Sequence, residues 1–259
     1  MHCLRFLVRL PFVLIWLVTS LFSVAFVYPL ISLPARCRMN EMWSGSLMRI
    51  CGVQVCVVGS PPMSGAALWV ANHVSWIDIF ILSHVRCVAF IAKSEIRAWP
   101  VIGWLVEKAG TLFINRSQRN SLRHVGEHMK VLFDRGQVVG LFAEGTTSTG
   151  LDVLPFHTSL FEPPLRASVD IQPVALRFYY QGQRTERLAF VGDESLVHNL
   201  WVLMGLTGVK VEVEFLPVVP GAQCVEWGRA RVANEIRQTI RDAVVVSREQ
   251  AHQPDRMAA

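Results

Sequence analysis

This sequence predicts an α/β fold, a mixed sheet flanked by helices, with an N-terminal hydrophobic helical segment that anchors it to a membrane. Three observations carry that expectation. Short apolar runs bounded by turn residues alternate with amphipathic stretches after residue 53. An uncharged run from Pro11 to Leu33 lies between Arg5 and Arg9 on one side and Arg36 and Arg38 on the other. Hydrophobic residues make up 52% of the chain and charged residues only 17%, which is apolar for a soluble domain.

The elements follow in order. The run from Pro11 to Leu33 is long enough to cross about 30 Å of hydrocarbon. It exceeds the usual signal-peptide core, and no clear A-x-A site follows it. Pro29 and Pro34 leave an interfacial hairpin or shallow re-entrant helix open as well. Basic residues at both ends give no orientation. We divide the chain into a membrane segment, 1–38, and a domain, 39–259. Residues 39–52 carry a partly apolar stripe that fits a helix on the membrane or one entering the core.

Val53 to Val58 reads as a strand, and a turn-rich link carries the chain to a second, Ala66 to Val70. Trp76 to Val85 is apolar enough for a buried helix. Cys87 to Ala92 is a strand that delivers Lys93. Trp99 to Leu105 reads as a short helix with Pro100 near its first turn. Thr111 to Ile114 is a strand. Leu122, Val125, Met129, Leu132 and Phe133 recur at helical spacing, so 118–134 is an amphipathic helix that Gly136 ends. Val138 to Phe142 is a strand feeding Glu144. Ile171 to Phe178 is a strand whose Pro173 implies an edge or a bulge. Leu196 to Leu206 reads as helix, Val209 to Phe215 as an alternating strand, and Glu226 to Val245 as a C-terminal helix.

At 259 residues the chain can bury a full core without staples. Its net charge of +5 suits an anionic membrane surface or anionic substrates. Nucleic acid is excluded as a partner, because no binding motif or dense basic run is present. The six cysteines form no C-x2-C pair and no zinc-like cluster with histidine. They read as free thiols, and no metal is expected.

The stretch with most chemistry is NHVSWID, Asn72 to Asp78. It stands where a strand ends and a helix begins, the usual place for ligands and catalytic groups in α/β sheets. Inside one helix His73 and Asp78 would lie about 140° apart and could not meet. With Ser75 as N-cap, His73 precedes the helix and Asp78 lies in its first turn, so the imidazole can fold back onto the carboxylate. Asp78 would then fix the ring's tautomer and stabilise the imidazolium. The alternative is that Ser75 and Asp78 form a capping-box-like start beside a polar loop histidine. The spacing alone fits both. No G-x-S-x-G elbow is present, which argues against a standard serine hydrolase.

NHVSWID is followed in order by LFINR (112–116), FAEGTTS (142–148) and IQPVAL (171–176). Together these blocks resemble the glycerolipid acyltransferase family, whose best-known members are the lysophosphatidic acid acyltransferases. The resemblance implies transfer of a fatty acyl group from acyl-CoA or acyl carrier protein to a lysolipid hydroxyl. It implies no cofactor beyond that co-substrate and no covalent enzyme intermediate. By match, His73 is the general base and Asp78 its orienter. Arg116 helps hold the acceptor's polar head, with Lys93 as a second positive charge. Glu144, Gly145, Thr146, Thr147 and Ser148 form the block associated with acceptor binding, and Pro173 lies in the block associated with the acyl-donor and catalytic cleft.

Many lysophosphatidic acid acyltransferases carry Arg where this chain has Thr147. The EGTTS form, with VLPFHTSLF (153–161) and AKSEIRAWPVIGWL, also resembles lyso-ornithine lipid acyltransferases. Lysophosphatidic acid is the first acceptor, and lyso-ornithine lipid or another lysophospholipid the alternative. A non-catalytic, membrane-anchored lipid-binding protein is the alternative of another class. The implied location is a bacterial inner membrane, with the domain facing the cytoplasm where thioester donors are found.

Overall fold

The computed structural model of the protein describes residues 1–61, 63–115 and 119–250. The chain begins as a helical hairpin. Helix α1 (His2–Phe22) continues through a π-helical turn, Ser23–Val27, and a 3-10 turn, Tyr28–Leu30. Helix α2 (Leu33–Cys51) doubles back, with Pro34 in its first turn, where a missing N–H costs nothing. Gly52 ends α2 in the left-handed region at φ 76.

Arg9 fastens the hairpin. Its Nη1 donates to the carbonyls of Cys51 at 3.1 Å, Met204 at 2.8 Å and Leu206 at 2.7 Å. Those carbonyls lie at the C-terminal ends of α2 and of the helix Leu196–Gly205. One guanidinium therefore caps two helix ends whose dipoles both favour a cation. Farther along, Trp16 Nε1 donates to the Trp43 carbonyl at 3.0 Å and to Ser46 Oγ at 3.1 Å. Phe6, Leu10, Val13 and Trp16 pack on the core, while Leu4, Leu7, Phe12, Ile15, Val18 and Phe22 are exposed. His2–Leu30 is long and apolar enough to cross a membrane, and this outer stripe is compatible with membrane association. The boundary expected at residue 38 falls inside α2; the joint between the two helices is at Ile31–Ser32.

The described strands are β1 (Val53–Val58), β2 (Ala67–Ala71), β3 (Val88–Lys93), β4 (Leu112–Ile114), β5 (Val138–Leu141), β6 (Ile171–Tyr180), β7 (Gln183–Arg184) and β8 (Val209–Phe215). They form one sheet in the order β1-β8-β6-β2-β5-β3-β4, with β7 paired to β6. Strands β6, β2, β5, β3 and β4 are mutually parallel. β8 is antiparallel to β6 and parallel to β1, so the sheet is mixed, as the alternation of elements implies. Between the strands lie α3 (Asp78–Val85), α4 (Ile102–Lys108), α5 (Arg119–Asp134), α6 (Glu162–Arg166), α7 (Leu196–Gly205) and α8 (Gly221–Gln250). Leu47, Ile81 and Leu203 of α2, α3 and α7 pack on one face of the sheet. Met129, Leu165 and Ile236 of α5, α6 and α8 cover the other. β2 and β5 are buried along their whole length, which is why they read as unbroken apolar runs.

Of the local expectations, one is met and two change. The bulge that Pro173 implied is present: β6 lies between β2 and β8 rather than at an edge, and its pairing with the chain after β8 slips by one residue between Val174↔Phe215 and Ile171↔Val219. Leu216 N donates to the Pro173 carbonyl at 3.1 Å, half of an antiparallel pair. The proline cannot return the second bond, and the Gln172 side-chain amide supplies it, donating to the Leu216 carbonyl at 2.6 Å. Pro100 precedes α4, whose N-cap is Val101. The C-terminal helix begins at Gly221 and is kinked at Gly228. The short α6 and β7 have no sequence signal that distinguishes them from loop.

The hairpin's dependence on Arg9 is testable. Arg9→Met leaves the Cys51, Met204 and Leu206 carbonyls without their donor. It should destabilise the protein by about 1–3 kcal/mol, read as a lower thermal midpoint in detergent. The exposed Arg38→Met should leave the midpoint unchanged.

Candidate active site

The site is built where β2 leaves the sheet. Asn72 stands one residue beyond β2 and continues the pairing with β6 through its side chain. Its Nδ2 donates to the Leu176 carbonyl at 3.0 Å, and its Oδ1 accepts from Leu176 N at 2.8 Å. The side-chain amide thus imitates a backbone residue and lets the next residue turn out of the strand. That residue is His73.

The fold-back of His73 onto Asp78 is present, by a different capping scheme. Helix α3 has Ile77, not Ser75, as its N-cap, and Asp78 is its first residue. Asp78 N donates to the Ser75 carbonyl at 3.1 Å, which makes residues 75–78 a turn. Asp78 Oδ2 then accepts three bonds: His73 Nδ1 at 2.8 Å, Val74 N at 2.7 Å and Ser75 N at 3.0 Å. Asp78 is fully buried, and its charge faces the positive end of the α3 dipole. The fold-back is therefore the arrangement present, and Ser75 contributes its backbone N–H rather than a side-chain cap. The carboxylate that closes the turn also orients the imidazole.

A carboxylate can only accept, so Nδ1 carries the proton and Nε2 the lone pair. Phe142 fixes the ring from one side, stacked at 4.0 Å between centroids and 11° between planes. Phe90 stacks behind Phe142 at 5.5 Å. The side chain of His73 keeps 19% exposure. Held by its neighbours and still open, the imidazole can take a proton from a hydroxyl, and Asp78 stabilises the imidazolium that results.

Glu144 is buried and does not face the cleft as an acceptor ligand would. Its Oε1 accepts from His73 N at 2.7 Å and its Oε2 from Leu154 N at 2.9 Å. Burial pushes its carboxyl up from the usual range, while the Leu154 and His73 donors pull it back down. Gly145 donates to the Phe142 carbonyl at 3.1 Å with φ 73, the left-handed turn that brings the carboxylate under His73. Ser148 N donates to the His73 carbonyl at 2.8 Å, with its Oγ at 3.3 Å from the same oxygen. The 144–148 block therefore clamps the backbone of His73 from both its N–H and its C=O.

Thr147 donates its hydroxyl to the Phe190 carbonyl, and Phe190 N donates to the Val74 carbonyl at 2.8 Å. Residues 185–195 thereby form a strap sewn to both motif blocks. Trp76 Nε1 donates to Asn199 Oδ1 at 2.9 Å, and Asn199 Nδ2 to the Ala189 carbonyl at 3.4 Å, which ties the strap to α7. No local sequence pattern marks this strap or Asn199. Val191 of the strap, with Ser148, Val153 and Leu154, lines a cleft of about 400 Å³ beside the block.

Of the other expected residues, Lys93 is exposed at the end of β3. Ala67, Val138 and Val88 are level across β2, β5 and β3, so Lys93 is level with Asn72. Two strand spacings separate them, about 10 Å. Thr146 is exposed beside the clamp. Pro173 is buried within β6. Arg116 lies outside the described residues.

The profile of the Acyltransferase family matches residues 54–177. A lyso-ornithine lipid O-acyltransferase of Pseudomonas aeruginosa is 36% identical over 211 residues, covering 82% of this chain and 80% of that protein. A 1-acyl-sn-glycerol-3-phosphate acyltransferase of Neisseria gonorrhoeae is 37% identical over 186 residues, covering 71% and 72%. The crystal structure of the 1-acyl-sn-glycerophosphate acyltransferase of Thermotoga maritima superposes with a TM-score of 0.74 at 24% identity, over 98% of this chain and 100% of that one. That likeness shows a shared fold.

Two substitutions separate orientation from contact. Asp78→Asn offers one acceptor oxygen and a competing donor to the three N–H groups, so kcat should fall by about 10²–10⁴. Glu144→Gln sets an N–H₂ against a backbone N–H. It should lower kcat and the thermal midpoint while leaving KM for the acceptor unchanged, because Glu144 acts through the His73 backbone. A rise in KM alone would instead make Glu144 an acceptor contact.

Proposed function

This chain belongs to the acyltransferase family, and from that premise we propose that it transfers a fatty acyl group from a thioester to the free hydroxyl of a lysolipid. The observation that carries the reading is the His73–Asp78 pair, locked by three bonds to one carboxylate oxygen. A bound hydroxyl loses its proton to Nε2 as it attacks the thioester carbonyl; the C–S bond then breaks, and the imidazolium gives that proton to the departing thiolate. The acceptor is the nucleophile, so no acyl-enzyme is required. The donor is acyl-CoA or acyl carrier protein, and no cofactor enters.

The first acceptor is 1-acyl-sn-glycerol-3-phosphate, the substrate in the name of the gonococcal relative. Lys93, about 10 Å to the side of the motif by two strand spacings, and Arg116 are the cations assigned to its phosphate. A specific observation favours a second reading. Thr147 is uncharged and its hydroxyl is committed to the Phe190 carbonyl, so the 144–148 block brings no cation to the head group. Lyso-ornithine lipid, named for the Pseudomonas relative, is the acceptor that this suits.

The outer stripe of α1 is assigned to the membrane. α1 docks along α2 by Arg9 and Trp16, which favours a helix lying in one leaflet beside its domain over one projecting across the bilayer. Thioester donors are cytosolic, and this places the domain on the cytoplasmic side.

Purified protein, one labelled acyl thioester and both lysolipids in competition test the acceptor. Labelled phosphatidic acid supports the first reading and labelled ornithine lipid the second. His73→Ala should abolish either product. Unchanged transfer by that variant would leave the histidine without a catalytic role, and no transfer by the wild type would point to lipid binding alone.

A further inference from the structure

We propose that the tip formed by Trp99, Pro100, Val101 and Trp104 inserts into the lipid bilayer as a second membrane contact, separate from the N-terminal helix, and brings the bilayer to the rim of the His73 site. The tip lies in the connection between β3 and the edge strand β4. It follows β3 through the 3-10 turn Ser94–Ala98. β3 runs parallel to β5 and β5 to β2, so the tip rises from the same end of the strands as His73.

Its composition is that of an interfacial element. The chain has eight tryptophans, and Trp99 and Trp104 are the exposed ones, at 42% and 37%. Val101 between them is 47% exposed. Indoles prefer the headgroup level of a bilayer, with the ring in the apolar layer and the N–H among polar groups. Lys93 and Lys108 flank the tip on the surface. Arg97 is paired with Glu107 at 2.6 Å, so it carries little free charge. The tip is therefore an apolar wedge with a mixed rim, in which Lys93 and Lys108 outnumber the exposed Glu95 by one charge.

The backbone holds this wedge in an uncommon shape. Ile102 N donates to the Pro100 carbonyl at 2.7 Å, and Val101 between them has φ 66 and ψ −55. This is a three-residue γ-turn with positive φ, a conformation that a β-branched residue adopts only when its surroundings impose it. The imposing contact lies beneath. A Cβ on Gly103 would stand 2.2 Å from the Arg97 carbonyl oxygen and 2.7 Å from that of Ile96, so the backbones of 96–97 and 103 are in direct contact. Gly103 N also donates to the Trp99 carbonyl at 2.9 Å. Strain sustained in this way marks a segment whose shape serves something other than stability.

The bilayer is the occupant because of the reaction's own substrates. Acceptor and product both keep an acyl chain that stays in the membrane, so a bilayer surface must meet the edge on which His73 lies. The inference goes beyond acyl transfer but takes its choice of the bilayer from that reading, and the quenching measurement tests insertion without it.

The test uses the full chain with phosphatidylethanolamine–phosphatidylglycerol vesicles containing lipids brominated near the headgroup end of the acyl chain. The Trp99→Phe/Trp104→Phe pair keeps the apolar surface and removes the two reporters, so bromine quenching should drop clearly below wild type. Equal fractional quenching in both proteins would overturn the proposal and leave the tip to a protein partner. Val101→Asp tolerates positive φ and puts a charge at the apex. It should lower kcat/KM on the order of ten-fold for a long-chain lysolipid in vesicles, and leave kcat/KM unchanged for a short-chain lysolipid in free solution. An equal fall with both acceptors, or no fall with either, would overturn it. A wild-type protein that is quenched yet transfers nothing would defeat the acyl-transfer reading and leave the insertion standing.

Discussion

A single oxygen, Asp78 Oδ2, holds the site together. It is buried and takes the imidazole N–H of His73 and two successive backbone N–H groups. Each bond has its own purpose. The backbone pair closes the turn that starts α3, and the ring bond sets the tautomer of the base. Because the acceptor is shared, the ring cannot move without the turn, and the turn cannot open without exposing two buried donors, each worth about 1–3 kcal/mol if left unsatisfied. Positioning of the imidazole is therefore secured by folding itself. This also explains the spacing of the motif. With fewer intervening residues the turn would not close, and with more the helix would not begin at the carboxylate.

The same device recurs around His73. Where parallel strands end, backbone donors and acceptors lose their ladder partners while still buried, and burial without a partner is costly. Asn72 replaces a backbone residue between β2 and β6. Gln172 replaces the proline N–H between β6 and β8. Glu144 takes up the free N–H groups of His73 and Leu154. Thr147 and Phe190 close the strap. Polar residues that a motif reading assigns to the substrate are thus largely spent on the chain's own backbone. Among the described residues of the expected site, the His73 ring, Lys93 and Thr146 are the ones left open to solvent.

These facts set what the sequence could reveal. β8 is legible because its apolar residues alternate strictly, β1 as a short apolar run after a glycine, and β2 and β5 because both faces are covered. The His73–Asp78 pairing is legible as a possibility, since its spacing excludes a single helix and allows a turn. Pro173 marks the bulge, as the rule for proline in sheets allows, but not what completes the ladder there. The Gln172 side chain takes the place of the missing N–H, and no one-residue rule contains it. The role of Glu144 is hidden for a similar reason, since its partners are backbone atoms of His73 and Leu154, brought together only by the sheet. The strap over residues 185–195 gives no periodic signal, being fixed by contacts to Val74, Thr147 and Asn199.

The N-terminal arginines carry the argument one step further. Read as a sequence, Arg5 and Arg9 are flanking charges to be counted in deciding which way an apolar helix faces. In the fold Arg9 is committed to three carbonyls at two helix ends, and Arg5 Nη1 reaches the Gly205 carbonyl at 3.4 Å. A charge held against helix C-termini is neutralised by their dipoles and no longer acts on lipid headgroups as a free flank would. The count that leaves orientation ambiguous therefore includes two charges that belong to the domain. Arg36 and Arg38 stand at the other end of the apolar run, in the first turns of α2, where Arg36 Nε donates to the Ile31 carbonyl at 3.2 Å. The two basic clusters are therefore not equivalent flanks: one is spent on helix ends of the domain, and the other lies at the turn of the hairpin.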